Sequence, residues 1–103
     1  MADSIICTGY LELDPANTDA AETAMKALMA GTRAEEGNEG YAFSADLDQK
    51  GKYWIYEKWR DQASIDSHMA SPHMAAFFTA AGGLGITGTE VIKWDGGTPT
   101  KLM

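Results

Sequence analysis

The amino-acid sequence predicts one small α+β domain of the ferredoxin-like type, in which helices cover one face of a four-stranded antiparallel sheet. Two observations predict this class. Hydrophobic periodicities follow the order strand, helix, strand, strand, helix pair, strand, which corresponds to a β-α-β-β-α-β arrangement. The chain has only 103 residues, so a second independent core is not expected. Residues 1–103 are interpreted as a single domain, with a core over about residues 4–94 and a tail over residues 95–103.

The first strand and the first helix are predicted from the spacing of apolar residues. Ser4–Leu13 is rich in apolar residues and is followed by a turn-favouring Asp-Pro pair. Apolar residues then recur at the three- and four-residue spacing of a helix with one buried face. Asp19 and Glu22 have the spacing of a capping box, and we expect the helix to run to about Glu36.

Strands two and three are predicted to form a β-hairpin. Larger and smaller or polar residues alternate from Tyr41 to Leu47, as in a strand whose side chains point to opposite faces in turn. The turn Asp48–Gly51 then leads into Lys52–Trp59. We expect these two strands to pair antiparallel.

Two short helices and a last strand follow the hairpin. Asp61 is a favourable N-cap for the first helix, and Ser71 followed by Pro72 is a favourable entry to the second. The glycines at 82–83 end that helix, and Ile86–Trp94 is predicted to be the fourth strand.

The third strand is apolar on both faces, which predicts a homodimer. One face carries Tyr53, Ile55, Glu57 and Trp59, and the other carries Trp54, Tyr56 and Lys58. The helices can cover only one face, so the second would leave aromatic side chains in water. A twofold dimer with two sheets packed face to face would cover them. The alternative interpretation is that Trp54 and Tyr56 are tolerated at the surface of a single subunit.

Composition and charge exclude several classes of function. The formal net charge is −7, which disfavours binding to nucleic acid or to anionic lipid. No apolar run approaches the length of a membrane-spanning helix, and the first residues lack the basic start of a secretion signal, so we expect a cytoplasmic protein. Cys7 is the only cysteine, which rules out an internal disulfide, and its apolar neighbours favour a buried small side chain. No local ligand spacing such as His-Glu-x-x-His is present, so neither a metal nor a cofactor is expected.

Two linked segments resemble the antibiotic biosynthesis monooxygenase (ABM) family. They are the run Tyr53–Asp61, with its Tyr-x-x-Tyr-Glu-x-Trp pattern, and the run Ile65–His73, with its His-x-x-Ser-Pro-His pattern. The stretch Thr32–Gly37 resembles the same family's exit from its first helix. The resemblance implies a dimeric α/β barrel with a pocket between sheet and helices in each subunit. It also implies an oxygenase that needs no cofactor and acts on quinols or polyketide-derived phenols.

Differences from better-defined branches of the family narrow the comparison. At positions that match an Asn, a Trp and an axial His of the haem-degrading branch, this chain has Gly9, His68 and Phe77, so haem degradation is not expected. At two pocket positions of the antibiotic-pathway phenol oxygenases, an Asn and a Tyr are replaced by Ile55 and Ile65. The bacterial quinol-oxygenase branch, which keeps both His residues of the His-x-x-Ser-Pro-His run, is the more similar one.

Five side chains are the main candidates for a site. His68 is the candidate base, and Glu57 is its orienting partner or an alternative base, because proton abstraction from a phenol needs a group that titrates near neutrality. Trp59 and Phe77 are candidate aromatic walls, and His73 is a candidate for the mouth of the pocket. Each also has a structural interpretation, since buried polar groups are often satisfied core residues and aromatic residues often only pack.

Two functions remain open on the sequence. The first is a monooxygenase that acts on a small hydroquinone or polyphenol with O₂ and without a cofactor. The second is a non-catalytic homodimer that binds a small aromatic or stress-related metabolite. Only the first requires oxygen uptake.

Overall fold

The computed structural model describes residues 4–103 and confirms the predicted ferredoxin-like α+β fold. Its elements are β1 Ile5–Leu13, α1 Thr18–Arg33, β2 Asn38–Ala45, β3 Lys52–Trp59, α2 Gln62–Met69, α3 Pro72–Ala81 and β4 Ile86–Trp94. Residues 95–103 contain no helix or strand. The prediction about the start of the chain concerns Met1, Ala2 and Asp3, which lie outside the described residues.

The four strands form one antiparallel sheet in the order β2-β3-β1-β4. The predicted hairpin is confirmed, because β2 and β3 pair directly, and β4 forms an edge of the sheet beside β1. Gly9 in the middle of β1 lies opposite Ile55 on one side and Val91 on the other. A β-carbon at Gly9 would collide with the backbone of Glu90 and Val91, so only glycine allows β4 to approach this closely.

The helices cover one face of the sheet and leave the other face open. The four β3 side chains predicted to share a face, from Tyr53 to Trp59, are all buried. On the opposite face, Trp54 and Tyr56 retain 46% and 44% of their exposure, so the two-faced pattern of β3 is confirmed. The core divides into one cluster around Leu11 and Met25 and another around Trp59.

Three predicted boundaries differ from the structure. A short 3-10 turn, Pro15–Asn17, leads directly into α1, so Asp19 lies inside the first turn of the helix and does not cap it. The helix ends at Arg33, whose Nε donates to the carbonyl of Tyr41 and ties the end of the helix to β2. Leu47 is fully exposed in the turn, because the Asp46 carboxylate accepts backbone N–H bonds that begin the turn after Ala45.

The two short helices begin at the predicted caps. The Asp61 carboxylate accepts from the backbone N–H of Ser64 at 2.9 Å, and the Ser71 hydroxyl accepts from that of Met74 at 3.3 Å. Within residues 4–103, no helix combines the length and the apolar composition needed to cross a bilayer. The caps fix where α2 and α3 start, and therefore which side chains these helices turn toward the sheet.

Candidate functional site

A cavity of about 530 Å³ lies between the sheet and the helices. Most of its wall is apolar, with Ile55 from β3, Ile65 from α2 and Phe77 from α3 among the contributors. Its more polar lining side chains are Cys7, Tyr41, Glu57, His68, Thr89 and Lys93. Val91 on the edge strand β4 also lines the cavity and is half-exposed, so the cavity opens toward solvent along that edge. A largely apolar cavity with a few polar groups is the usual form of a small-molecule site.

His68 is the most enclosed polar group in the cavity wall, with 2% of its surface exposed. Its ring lies 4.7 Å from the Trp59 ring and 5.5 Å from the Tyr41 ring, measured between centroids. Its Nδ1 lies 2.8 Å from Oε2 of Glu35. An ionised carboxylate only accepts, so Nδ1 is the donor in this bond, and in a neutral ring Nε2 then carries the lone pair. The bond to Glu35 and the two aromatic contacts therefore hold the His68 ring in one orientation.

Glu35 is the functional residue that the sequence interpretation missed. It lies in the turn after α1, and its Oε2 also accepts from Nε2 of His73 at 2.8 Å. Glu35 is 33 residues from His68 along the chain, so no local motif joins them. The signal in the sequence is that Glu35 lies in the Thr32–Gly37 stretch, which resembles the family. From the sequence alone, that stretch is assigned no role in the site.

Glu57 has a different partner from the one expected. It lines the cavity and accepts from the indole Nε1 of Trp59 at 2.9 Å, while His68 is bound to Glu35. Burial raises the pKa of Glu57, and the Trp59 hydrogen bond and the nearby His68 act against that rise. The bond to Trp59 follows from the strand period, since residues two apart share a face. Glu57 therefore supplies a polar carboxyl group to the cavity without orienting His68.

The other predicted site residues lie in three different places. Ile55, Ile65 and Phe77 line the cavity directly. Trp59 is fully buried and lies behind the wall, where it supports His68 and Glu57. His73 lies outside the cavity, in a groove of about 480 Å³ between α1 and α3.

Two further polar side chains line the cavity: Tyr41 from β2, and Cys7 from β1, which is buried as predicted. Burial, assisted by the nearby carboxylates of Glu57 and Glu35, raises the pKa of the Tyr41 phenol. Burial raises the pKa of the Cys7 thiol to about 11. Both groups stay protonated near neutral pH, so Tyr41 can donate a hydrogen bond to a ligand, and Cys7 is not a nucleophile.

Known proteins share both the sequence pattern and the fold. The sequence profile described as "Antibiotic biosynthesis monooxygenase" matches residues 4–80. A Bacillus subtilis protein named "Putative monooxygenase YcnE" is 26% identical over 73 residues, which are 71% of this chain and 77% of that protein. An uncharacterised Synechocystis protein, sll1783, is 24% identical over 75 residues, which are 73% of this chain and 51% of that protein.

Solved structures show the same fold. A Deinococcus radiodurans protein described as a "putative antibiotic biosynthesis monooxygenase" superimposes with a TM-score of 0.89 at 24% identity, covering 96% of this chain and 98% of that one. Rv0793 of Mycobacterium tuberculosis gives a TM-score of 0.84 at 21% identity, covering 95% and 99%. At these identities the structural likeness concerns the fold, while the profile match extends over most of the chain. The chain therefore belongs to the antibiotic biosynthesis monooxygenase family.

Proposed function

We propose that this protein is a cofactor-independent monooxygenase that oxidises a small hydroquinone or polyphenol with O₂. The observation that carries the proposal is a buried imidazole, His68, in the wall of an apolar cavity of about 530 Å³, with its Nδ1 bound to Glu35. An imidazole whose Nδ1–H is held by a carboxylate has its Nε2 lone pair free to accept a proton.

The reaction begins with proton transfer from a substrate hydroxyl to Nε2 of His68. The resulting phenolate is electron-rich enough to reduce O₂ without a metal or a flavin. One oxygen atom bonds to a ring carbon, which loses its hydrogen, and the other leaves as water. Hydroquinone and O₂ then yield a hydroxyquinone and water, so four electrons pass from the ring to oxygen. The protein supplies a base, an orientation and a site from which bulk water is excluded.

The remaining cavity residues fit a planar, partly polar ligand. Phe43 and Phe77 pack against each other with ring centroids 5.8 Å apart and give the cavity an aromatic wall. Tyr41 and Glu57 offer hydrogen-bonding groups for hydroxyl or carbonyl oxygens of the substrate.

Oxygen consumption with a panel of hydroquinones and polyphenols tests the proposal. We expect uptake above the uncatalysed rate, and loss of that uptake in His68→Ala. Since His68 is buried, His68→Asn serves as a second variant, because its amide can still donate toward Glu35 but cannot act as a base. Circular dichroism and thermal melting show whether both variants are folded.

The results separate the two functions. A wild-type protein that binds hydroquinones, as seen by fluorescence titration, but consumes no oxygen would refute the oxygenase and leave the non-catalytic binding protein. Uptake that survives in a folded His68→Asn protein would refute the role of His68.

We also propose that two subunits associate through the open face of the sheet. This face carries four large apolar side chains that keep 40–56% of their exposure: Trp54, Tyr56, Ile92 and Trp94. Trp54 is already fixed, since its Nε1 donates to Asp46 at 2.8 Å and Nζ of Lys52 lies 4.4 Å from its ring centroid. A contiguous apolar face of this kind is uncommon on a monomer and favours association.

Sedimentation equilibrium at micromolar concentration tests the association. We expect a dimer, and a shift toward monomer when Ile92 is replaced by Lys. Leu47→Lys is the matched control, because Leu47 is also apolar and exposed but lies in the β2–β3 turn. A stable wild-type monomer, or equal effects of the two substitutions, would refute an interface on this face.

A further inference from the structure

We propose that Glu35, His68 and His73 together form a binding site for a divalent transition-metal ion of the Zn²⁺ type. The site goes beyond the proposed function, because oxidation in the cavity uses no metal. One carboxylate oxygen and one nitrogen from each imidazole all lie within 4.8 Å of one another. The carboxylate oxygen lies 2.8 Å from both nitrogens, so both imidazoles already meet at the same carboxylate.

The chemistry of this ligand set suits zinc and its first-row neighbours. Two neutral imidazoles and one carboxylate, with a water in the fourth position, are a common ligand set for Zn²⁺. Tetrahedral ligands at about 2.05 Å from the ion would lie roughly 3.3 Å apart. The observed nitrogen–oxygen distances of 2.8 Å therefore need to open by about half an ångström, within ordinary side-chain movement.

Two of the ligands are held by rigid elements of the fold. The His68 ring is packed between Tyr41 and Trp59. The His73 ring lies directly on the backbone of α1, because a β-carbon at Gly31 would come within 2.7 Å of its Cγ. The glycine in α1 thus makes room for the His73 ring in the position from which it contacts Glu35. A site positioned by packing loses less freedom when it binds an ion.

The cluster is also accessible to an ion from outside. His73 and Glu35 keep 24% and 17% of their side-chain exposure, while His68 is buried. An ion can therefore reach the cluster without entering the cavity, through the surface grooves that His73 and Glu35 line. The sequence spacing of these three residues matches no metal motif, since the fold alone brings positions 35, 68 and 73 together.

Metal binding and the base role of His68 exclude each other. An ion at Nδ1 of His68 takes the lone pair there, so the ring proton resides on Nε2, and that nitrogen no longer accepts a proton. This consequence rests on the proposed function, whereas binding of the ion itself does not.

Direct binding of Zn²⁺ and Co²⁺ to tag-free, chelator-treated protein tests the site. We expect one Zn²⁺ per subunit by calorimetry, a saturable rise in Tm, and a Co²⁺ absorption spectrum typical of four-coordinate nitrogen and oxygen ligands. His73→Gln should weaken Zn²⁺ binding at least about tenfold, as expected when one of three ligands is lost. Gly31→Ala should weaken it too, although all three ligands remain.

Glu36→Gln is the matched control, because Glu36 is the next residue in the chain and its side chain is 92% exposed. We expect this variant to bind Zn²⁺ as the wild type does. Absence of Zn²⁺ binding, or binding that His73→Gln leaves unchanged, would overturn the proposal. Because ion binding is measured without substrate, failure of the metal site and failure of the oxygenase can be told apart. A protein that binds no ion but consumes oxygen refutes only the metal site, and one that binds the ion but consumes no oxygen in its ion-free form refutes only the oxygenase.

Discussion

Gly31 gives a quantitative test of how α1 and α3 pack. In an unobstructed helix interior, replacing glycine with alanine stabilises the fold by about 1 kcal/mol, because alanine restricts the unfolded chain and favours the helix. At position 31, however, the new methyl group would lie 2.7 Å from Cγ and 3.0 Å from Cβ of His73. These atoms are at the root of the His73 side chain, so rotation of the ring tip cannot relieve the overlap.

The overlap should outweigh the helix preference. Inserting a methyl group into a tight contact typically costs about 1–3 kcal/mol. We therefore expect Gly31→Ala to change the free energy of unfolding by between zero and about −2 kcal/mol, instead of raising it. In a His73→Ala background the contacts with Cγ and Nδ1 are absent and only Cβ remains, at 3.0 Å, so the same substitution should raise the free energy of unfolding by up to about 1 kcal/mol.

Urea unfolding at one fixed protein concentration, followed by circular dichroism, measures all four proteins of this double-mutant cycle. The expected coupling between positions 31 and 73 is about 1–3 kcal/mol. Gly82→Ala is a control for alanine itself, since a β-carbon there would meet only the carbonyl of Thr79 at 3.5 Å. A stabilising Gly31→Ala in the wild-type background, with no coupling to His73, would refute the packing argument.

Three further predictions concern single side chains. Thr32 has a fully buried hydroxyl without a hydrogen-bond partner among the described residues. Thr32→Val should therefore raise the free energy of unfolding in urea by about 1 kcal/mol. A loss of stability would show that the hydroxyl has a hydrogen-bond partner. The pKa of Cys7 is raised from 9.0 to about 11, so at pH 8 it should have roughly 100-fold less thiolate than an ordinary cysteine. A thiol reagent should therefore modify Cys7 only in unfolded protein, and rapid labelling of native protein would contradict this. Hydrogen bonds from Ser64 lower the pKa of Asp61, so the stability that its charge provides is present above the unfolded pKa and is lost as the pH falls through the folded pKa. The stability advantage of wild type over Asp61→Asn in urea unfolding should therefore shrink between pH 5 and about pH 2. A difference that stays constant over this range would argue against the prediction.

The sequence alone predicts the features that depend on residues close together in the chain. The caps at Asp61 and Ser71 require only a side chain and the backbone two or three positions later, and both are present in the structure. The two faces of β3 follow from the strand period alone. The bond between Glu57 and Trp59 could have been predicted in the same way, because these residues share a face and one has a donor where the other has an acceptor.

Features that depend on packing between distant segments could not be predicted in this way. Glu35 becomes the partner of His68 only because α1 ends at Arg33 and the following turn lies beside α2. The position of His73 outside the cavity depends on the contact between α3 and Gly31. The error at the start of α1 has the same origin, since Glu22 accepts from the Tyr53 hydroxyl of β3 instead of capping its own helix.

Gly9 has a consequence for how cavities of different size can arise on this fold. The edge strand β4 has no further strand beyond it, so a side chain at position 9 would displace β4 outward while the rest of the sheet stayed in place. Thr89 and Val91 would move with it and widen the entrance. Position 9 shares its sheet face with Cys7 and Leu11, which line the cavity, so one substitution there would both push the edge strand outward and place a new side chain against the ligand space.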